Sequence, residues 1–87
     1  MDGAHGIVRY VYLLRSLSHP QQTYVGSTDD LRRRLAEHDS GKSPHTSRFA
    51  PWKCAVAIRL EDDAKAEAFE RYLKQGSGHA FAQRHFW

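Results

Sequence analysis

The stretch VRYVYLLRSLSHPQQTYVGST, residues 8–28, decides the fold of this chain. Side chains of residues 8–15 alternate between two faces, which is typical of a β-strand. The connection at residues 16–22 is rich in turn formers and short enough to return the chain antiparallel. Residues 23–26 resume strand chemistry before Gly-Ser-Thr, residues 26–28, breaks it. The sequence therefore predicts a β-hairpin.

A first helix is predicted directly after this hairpin, over about residues 29–39. Ser27, followed three residues later by Asp30, forms a capping-box-like start. Acidic side chains at that end suit the positive end of the helix dipole. Gly41 ends the helix, since glycine is the usual residue just beyond a helix C-terminus.

The remaining chain predicts one strand and two helices. The apolar run at residues 54–60 is typical of a third strand, and a second helix follows over about residues 61–74. Gly-Ser-Gly at residues 76–78 breaks the chain before a short helical end. We therefore expect an α+β protein in which residues 1–87 form one small domain with its core at about 8–86. A three-stranded antiparallel sheet flanked by helices would be its centre.

Size and composition predict a cytoplasmic protein with no membrane partner. The 87 residues are 40% hydrophobic and 26% charged, and no apolar run approaches the roughly 18 residues that a membrane span needs. Residues 1–6 lack the charged-then-apolar layout of a secretory signal. The single cysteine, Cys54, excludes an internal disulfide and a multi-cysteine zinc site, and its apolar surroundings predict a small buried side chain.

Basic side chains are concentrated in one segment. The chain has 13 Lys and Arg against 10 Asp and Glu, a formal charge of +3. Residues 40–60 contain no acid, but they contain Lys42, Arg48, Lys53 and several aromatic rings. This mixture suits a phosphate backbone with exposed bases. It suits equally a solvated loop whose rings are half-buried in the core.

The first helix carries charged groups on its apolar face. Leu31 and Leu35 mark that face, and Arg34 and His38 complete its i, i+3, i+4, i+7 stripe. Both side chains should therefore lie where the helix meets the sheet. They are either functional groups or structural ones, with Arg34 paired to a carboxylate and His38 capping a backbone carbonyl.

Glu70 lies at the border of the apolar face of the second helix. The buried arc of that helix is predicted to comprise Ala66, Phe69, Tyr72 and Leu73. A carboxylate at such a border can face a cleft, or it can form an i, i+4 salt bridge with Lys74. Carboxylate, arginine, imidazole and tyrosine hydroxyl groups together are the parts that phosphodiester cleavage requires.

The order and spacing of these groups resemble the GIY-YIG nuclease family. The two signatures are YVY at residues 10–12 and YVG at residues 24–26, one on each strand of the hairpin. Arg34 and His38 follow the second tyrosine by ten and fourteen positions. The segment HDSGK, which begins at His38, is similar to that of small stand-alone bacterial members. The resemblance covers residues 10–86, nearly the whole chain.

The resemblance implies hydrolysis of DNA phosphodiester bonds with one divalent ion, Mg²⁺ or Mn²⁺. Glu70 would hold the ion, and Arg34 would neutralise the phosphoryl oxygens. Tyr12 or Tyr24 would orient or deprotonate the attacking water, with His38 as its hydrogen-bond partner or proton relay. Structure-selective cutting linked to DNA repair or recombination, with a protein partner that supplies specificity, is a further expectation. The basic side chains expected to contact DNA are Arg32, Lys42, Arg48, Lys53 and Lys74.

Two alternatives from other classes stay open. One is a nucleic-acid-binding module of the same fold with little or no turnover, and the other is an interaction domain in which the same residues form salt bridges. The complete set from Tyr12 to Glu70 favours an enzyme, because a carboxylate beside bound phosphate weakens binding unless a cation lies between them. The chain departs from the family pattern at Tyr10, where the family name has glycine, and at Ser27, where the excision-repair branch has lysine. It also contains no asparagine.

Overall fold

A computed structural model describes residues 8–87, and residues 1–7, including the segment in which no secretory signal is expected, lie outside the described part. The structure has three strands and three helices, which confirms the α+β class and the three-stranded antiparallel sheet. In chain order these are β1 (Arg9–Ser16), β2 (Thr23–Thr28), α1 (Leu31–Asp39), β3 (Trp52–Leu60), α2 (Asp63–Lys74) and α3 (Gly76–His85), with a single 3-10 turn at Ser47–Phe49 before β3. None of these helices is long and apolar enough to cross a bilayer.

Strand β1 is the centre of the sheet, whose order is β2-β1-β3. It pairs antiparallel with β2, as the predicted hairpin requires, and antiparallel with β3. Tyr12 lies opposite Gly26 on one side and Ala57 on the other. The pairing with β3 shifts register between Leu13 and Leu14. Because both faces of the central strand are covered, four successive residues of β1 are buried, from Val11 to Leu14.

The two faces of the sheet carry two separate cores. Val11 and Leu13 point to the face covered by α2 and α3, where they join Ala66, Leu73 and Ala82. The opposite face is covered by α1 and the loop after it, and there Tyr12 and Leu14 form a cluster with Trp52. Full burial of one such apolar side chain contributes about 1.5–3 kcal/mol. The alternation of β1 therefore sends Tyr12 and Leu14 toward α1, and Val11 and Leu13 toward α2.

The junction between β2 and α1 differs from the predicted one. Strand β2 runs through residues 26–28 to Thr28, so Ser27 is a strand residue and not a helix cap. Asp30 is the N-cap of α1, and its side chain accepts a hydrogen bond of 3.1 Å from the backbone N–H of Arg33. The prediction that Ser27 caps this helix was wrong, because pairing with β1 continues to the residue opposite Tyr10.

The predicted end of α1 is confirmed. Gly41 has φ +80°, the left-handed conformation that glycine adopts without strain. The N–H of Gly41 donates to the carbonyl of His38, and the N–H of Lys42 donates to the carbonyl of Glu37. These two bonds satisfy the last carbonyls of the helix in a Schellman arrangement. His38 is thereby fixed in the last turn of α1.

The later elements are placed as predicted, with shifted boundaries. Strand β3 begins at Trp52, two residues earlier than expected, and α2 begins at Asp63 behind the N-cap Asp62. Helix α3 begins at Gly76, so the Gly-Ser-Gly segment is its first turn and does not separate it from α2 by a loop. Tyr72, expected in the buried arc of α2, is 43% exposed.

Candidate active site

Two tyrosines and a histidine form a compact cluster between the hairpin and α1. Tyr12 comes from β1, Tyr24 from β2 and His38 from the last turn of α1. The ring centroid of His38 lies 5.6 Å from that of Tyr12 and 5.0 Å from that of Tyr24, and the two tyrosine rings are 6.2 Å apart. The helix stripe predicted from sequence therefore delivers His38 to the sheet, where the two signature tyrosines meet it.

A hydrogen-bonded chain fixes the orientation of His38, which is 0% exposed. The Tyr12 hydroxyl lies 2.9 Å from Nε2 of His38, and Oγ1 of Thr46 lies 2.6 Å from Nδ1. Thr46 is itself buried, and its carbonyl accepts a 3.0 Å hydrogen bond from Nε1 of Trp52. The alternative in which His38 caps a backbone carbonyl is therefore wrong. Its two ring nitrogens contact side chains.

Both groups of the Tyr12–His38 pair are held in their neutral forms. Burial, with a further contribution from Tyr24, raises the pKa of Tyr12 to about 12, although Arg34 opposes the shift. Burial and the Arg34 cation together hold the pKa of His38 below its ordinary value. A neutral imidazole has one donor and one acceptor nitrogen, so His38 can bond both the Tyr12 hydroxyl and the Thr46 hydroxyl without carrying a charge. Tyr12 and His38 therefore act as a rigid neutral unit, and the half-exposed Tyr24 is the tyrosine that solvent reaches.

Arg34 lies at the edge of this cluster and forms a salt bridge with a carboxylate of its own helix. Its Nη1 donates to Oε1 of Glu37 at 2.7 Å, and its Nη2 donates to Oγ of Ser43 at 3.4 Å. This pair confirms the expectation that a structural Arg34 would bind a carboxylate. Arg34 also lies close enough to Tyr12 to lower the pKa of that hydroxyl. The guanidinium therefore borders the tyrosine cluster while Glu37 orients it.

Glu70 approaches from the other helical layer, at the outer edge of β2. Its Oε1 accepts a 2.9 Å hydrogen bond from Oγ of Ser27, and its Oε2 accepts one of 2.8 Å from Nζ of Lys74. The predicted i, i+4 salt bridge is therefore present. The carboxylate is nevertheless near enough to contribute to the raised pKa of Tyr12. Glu70 thus belongs to the same electrostatic environment as the tyrosines.

The surroundings of Glu70 fit a hydrated hard cation. Glu70 lines an open depression of about 240 Å³ together with Ser27, Glu67, Arg9 and Asp63, of which the last two form an ion pair. Within residues 8–87, no three His, Cys, Asp or Glu side chains are arranged to enclose a metal. Mg²⁺ commonly binds through one or two carboxylates and keeps several waters. The carboxylates of this depression therefore fit Mg²⁺ or Mn²⁺ and do not provide the nitrogen and sulfur ligands typical of zinc.

Sequence reasoning missed four side chains that support or extend the site. Ser43 and Thr46, both buried, orient Arg34 and His38 from the loop after α1, and no local sequence pattern identifies such contacts. Ser27 was assigned to a helix cap, although the alternation of an unbroken β2 places it on the α2 face, where it binds Glu70. Glu67 lies one turn before Glu70 and lines the same depression. Helical spacing could have identified it as a second carboxylate.

The basic side chains expected to contact DNA occupy different settings. All five are exposed: Arg32, Lys42, Arg48, Lys53 and Lys74. Lys74 is also paired with Glu70, whereas the other four are not engaged by it. In the acid-free segment the cations face solvent, while Trp52 is buried and Phe49 half-buried against β1 residues, as the solvated-loop interpretation predicts. Contact of these cations with DNA stays a prediction.

Gly26 is needed for the close packing of the two tyrosines. A β-carbon at this position would lie 2.6 Å from Oη of Tyr12 and 2.8 Å from Cε2 of Tyr24. In Gly26→Ala the rings must therefore move, and for the nuclease that the resemblance implies we expect DNA cleavage to fall about 100-fold, a cost that a displacement near 1 Å can carry. Single-turnover cleavage measures this. Thr23→Ala, at an exposed position of the same strand, is the control. Full activity in Gly26→Ala would show that the tyrosines tolerate displacement.

Thr46→Val tests whether the loop positions His38. The substitution keeps the shape of the side chain but removes the only hydroxyl that faces Nδ1 within residues 8–87. We expect a loss of stability of about 1–3 kcal/mol, since a buried ring nitrogen is left unpaired. For the nuclease that the resemblance implies, we also expect a lower cleavage rate at unchanged DNA affinity. Urea unfolding, anisotropy and single-turnover kinetics measure the three quantities. Thr23→Val, on an exposed position of β2, is the matched control. A cleavage rate equal to that of wild type in Thr46→Val would exclude a positioning role.

The sequence of this chain matches a known protein family. A family model described as the GIY-YIG catalytic domain matches residues 8–82. The structure-specific endonuclease subunit SLX1 of Candida dubliniensis is 34% identical over 82 residues, covering 86% of this chain and 27% of the relative. SLX1 of Debaryomyces hansenii is 33% identical over 82 residues, 86% of this chain and 22% of the relative. SLX1 of Malassezia globosa is 44% identical over 50 residues, 54% of this chain and 11% of the relative.

The chain thus spans about a quarter or less of the length of these relatives. The matched region contains Tyr12 and Tyr24, the two charged side chains of the α1 stripe and Glu70. The fold, with a three-stranded antiparallel sheet between helices, agrees with that assignment. The chain belongs to the GIY-YIG nuclease family.

Proposed function

We propose that this protein is a metal-dependent DNA endonuclease that hydrolyses phosphodiester bonds at the β2 edge of the sheet. The observation that carries the proposal is the convergence of Tyr12, Tyr24, His38, Arg34 and Glu70 from both helical layers on this edge. A site with a cation-binding carboxylate on one side and an arginine on the other matches the charge distribution of a reacting phosphodiester.

Each side chain has a role that follows from its setting. Tyr24 is solvent-accessible and lies beside the neutral Tyr12–His38 unit, so its hydroxyl orients the attacking water, whose proton passes to the surrounding solvent. As that water attacks phosphorus, the bond from phosphorus to the leaving oxygen breaks. Arg34 neutralises the charge that develops on the non-bridging oxygens. Tyr12 keeps its own proton at neutral pH and acts by holding His38 and packing against Tyr24.

Glu70 is the residue that would hold Mg²⁺ or Mn²⁺, with Glu67 as the nearest additional carboxylate of the same depression. A divalent ion bound there supplies Lewis-acid stabilisation of the phosphoryl and leaving oxygens. Lys74 occupies Oε2 of Glu70 in this structure, so Lys74 gives up this contact when a cation binds. An exposed i, i+4 pair of this kind is worth only about 0.3–0.5 kcal/mol, so its release costs little.

The substrate and partner are proposed from the named relatives. Each of the three relatives is described as a subunit of a structure-specific endonuclease. From this likeness we infer that this chain cuts branched DNA and acts with a protein partner in DNA repair or recombination. Exposed Arg32, Lys42, Arg48 and Lys53 would contact the phosphates, which position DNA without reading its sequence.

A binding module without turnover is the second candidate. It is favoured by one observation, that Arg34 and Glu70 each have an internal ion partner and so are charge-compensated without substrate. Such a module would bind DNA with an affinity that falls as salt rises, but it would not cut it.

The proposed function is tested by incubating the protein with supercoiled and branched DNA, with and without Mg²⁺ or Mn²⁺. We expect nicking that requires the divalent ion and is faster on the branched substrate. Salt-dependent binding without nicking under any of these conditions would favour the binding module. Equal nicking in the presence of a chelator would exclude the proposed metal dependence.

A further inference from the structure

An exposed aromatic groove lies between α2 and α3, on the flank of α2 that is turned away from Glu70. Tyr72 is two residues after Glu70, which is about 200° around the helix axis. Tyr72 and Phe81 are 43% and 38% exposed, and they account for two of the three exposed large hydrophobic side chains in the described part of the chain. Exposed rings that contact one another form an apolar patch, and such patches mark binding surfaces more often than single exposed apolar side chains do.

The rings of this groove form a connected series. The ring centroid of Phe81 lies 6.4 Å from that of Tyr72, 4.6 Å from that of His85 and 5.4 Å from that of Phe86. A depression of about 290 Å³ is lined by Tyr72, Ser77, Ala80, Phe81, Arg84 and His85. This volume is at or below the lower end of the roughly 300–1,000 Å³ of sites for drug-sized ligands. It therefore provides room for one planar group at a time.

The side chains that line the groove include cations and no acid. Arg84 and His85 lie in the groove itself, next to Phe81. Arg71 and Lys74, the other cations of residues 71–87, are paired with Glu67 and Glu70 of α2. Aromatic faces for bases, together with a cation for phosphate and no acid in the lining, are the recognition chemistry of single-stranded nucleic acid.

We propose that the α2–α3 groove is a stacking platform for unpaired nucleotides of the DNA substrate. Phe81 and Tyr72 stack on one unpaired base at a time, and Arg84 contacts its backbone phosphate. The platform and Glu70 lie on opposite flanks of one helix, whose diameter is about 10–12 Å, so an unpaired strand that leaves the cutting site reaches the groove. This inference deepens the proposed endonuclease function, because it assigns a single-stranded arm to the substrate.

The test measures binding of a fluorescein-labelled oligothymidylate and of a matched duplex by anisotropy, in chelator so that no cleavage occurs. Phe81→Leu keeps an apolar side chain but removes the ring, and we expect it to weaken single-strand binding between about 5-fold and 100-fold. Duplex affinity should stay unchanged. Arg84→Gln should lower the slope of log affinity against log salt by about 0.7. Leu17→Ala, another exposed apolar position, and Arg59→Gln, an exposed cation on β3, are the controls.

Photo-crosslinking with 5-bromouracil DNA, mapped by peptide mass, provides a measurement that needs no variant. Crosslinks at Tyr72 or Phe81 support the platform, and crosslinks confined to other segments overturn it. Equal affinity of Phe81→Leu and wild type for the single strand also overturns it. If Phe81→Leu then alters self-association, the groove is a protein interface. The two proposals can fail independently. Groove-dependent binding without cleavage would support the platform and not the endonuclease. Cleavage without groove-dependent binding would support the endonuclease and not the platform.

Discussion

Glu70→Gln is expected to abolish strand cleavage while the protein stays folded and binds DNA at least as tightly as wild type in chelator. Glutamine can still accept the hydrogen bond from Ser27 that fixes the side chain, so the local structure is retained. It carries no charge to hold a divalent cation. Loss of one preorganised charge-stabilising group costs roughly 10²–10³-fold in rate, and we expect at least the lower value. Single-turnover kinetics on branched DNA measure the rate, and urea unfolding confirms the fold.

Glu61→Gln is the matched control for this substitution. Glu61 is exposed and pairs with Arg59 at 3.0 Å, far from the tyrosine cluster. The same charge change at this surface position should leave cleavage within a factor of two of wild type, roughly the scale of a surface effect near 0.5 kcal/mol. Cleavage by Glu70→Gln at the wild-type rate would remove Glu70 from the metal site. Equal losses in both variants would point to net charge and not to a specific ligand.

Gly78→Ala is expected to destabilise the fold more than Gly26→Ala. A β-carbon at position 78 would lie 1.7 Å from the carbonyl oxygen of Tyr72 and 2.4 Å from its carbonyl carbon. These are backbone atoms at the end of α2, so α3 must move away as a whole. Overpacking usually costs about 1–3 kcal/mol and occasionally more, and we expect about 3 kcal/mol. For a domain of this size, that corresponds to a fall in Tm of about 12–24 °C.

Calorimetry or thermal circular dichroism measures this shift, with Ser77→Ala as the neighbouring control. Ser77 is exposed in the same first turn of α3, so its substitution tests local composition without the clash. We expect the control to change Tm by no more than about 4 °C, in line with a surface substitution within about 0.5 kcal/mol. A Gly78→Ala protein as stable as wild type would mean that α3 is not held against α2 as the structure shows.

Much of this fold follows from local patterns in the sequence. The alternation of β1 predicts that Tyr12 and Val11 face opposite layers, and the structure places them in two different cores. The i, i+4 spacing of Arg34 and His38 on an otherwise apolar stripe predicts their meeting with the sheet. Such patterns succeed because the periods of strands and helices directly determine which side chains share a face.

The parts of the site that sequence did not predict depend on tertiary contacts. Thr46 meets His38 across a loop, and Ser27 meets Glu70 across two layers. Ser27 was misassigned because serine before an acidic residue is a strong local cap signal. The pairing with β1 that keeps Ser27 in a strand joins two different segments of the chain, so no local pattern shows it. The ionisation state of Tyr12 likewise depends on burial, which no local pattern gives.

Arg34 and Glu70 come from different helices and are proposed to act on the same phosphodiester. Single-turnover cleavage of branched DNA in Mg²⁺ by wild type, Arg34→Ala, Glu70→Ala and the double variant tests this. We predict that each single variant retains about 1% of wild-type activity or less, and that the double variant is no worse than either, because groups that act as a unit are not additive. Losses that multiply in the double variant, or four proteins with the same background rate, would contradict a shared catalytic site.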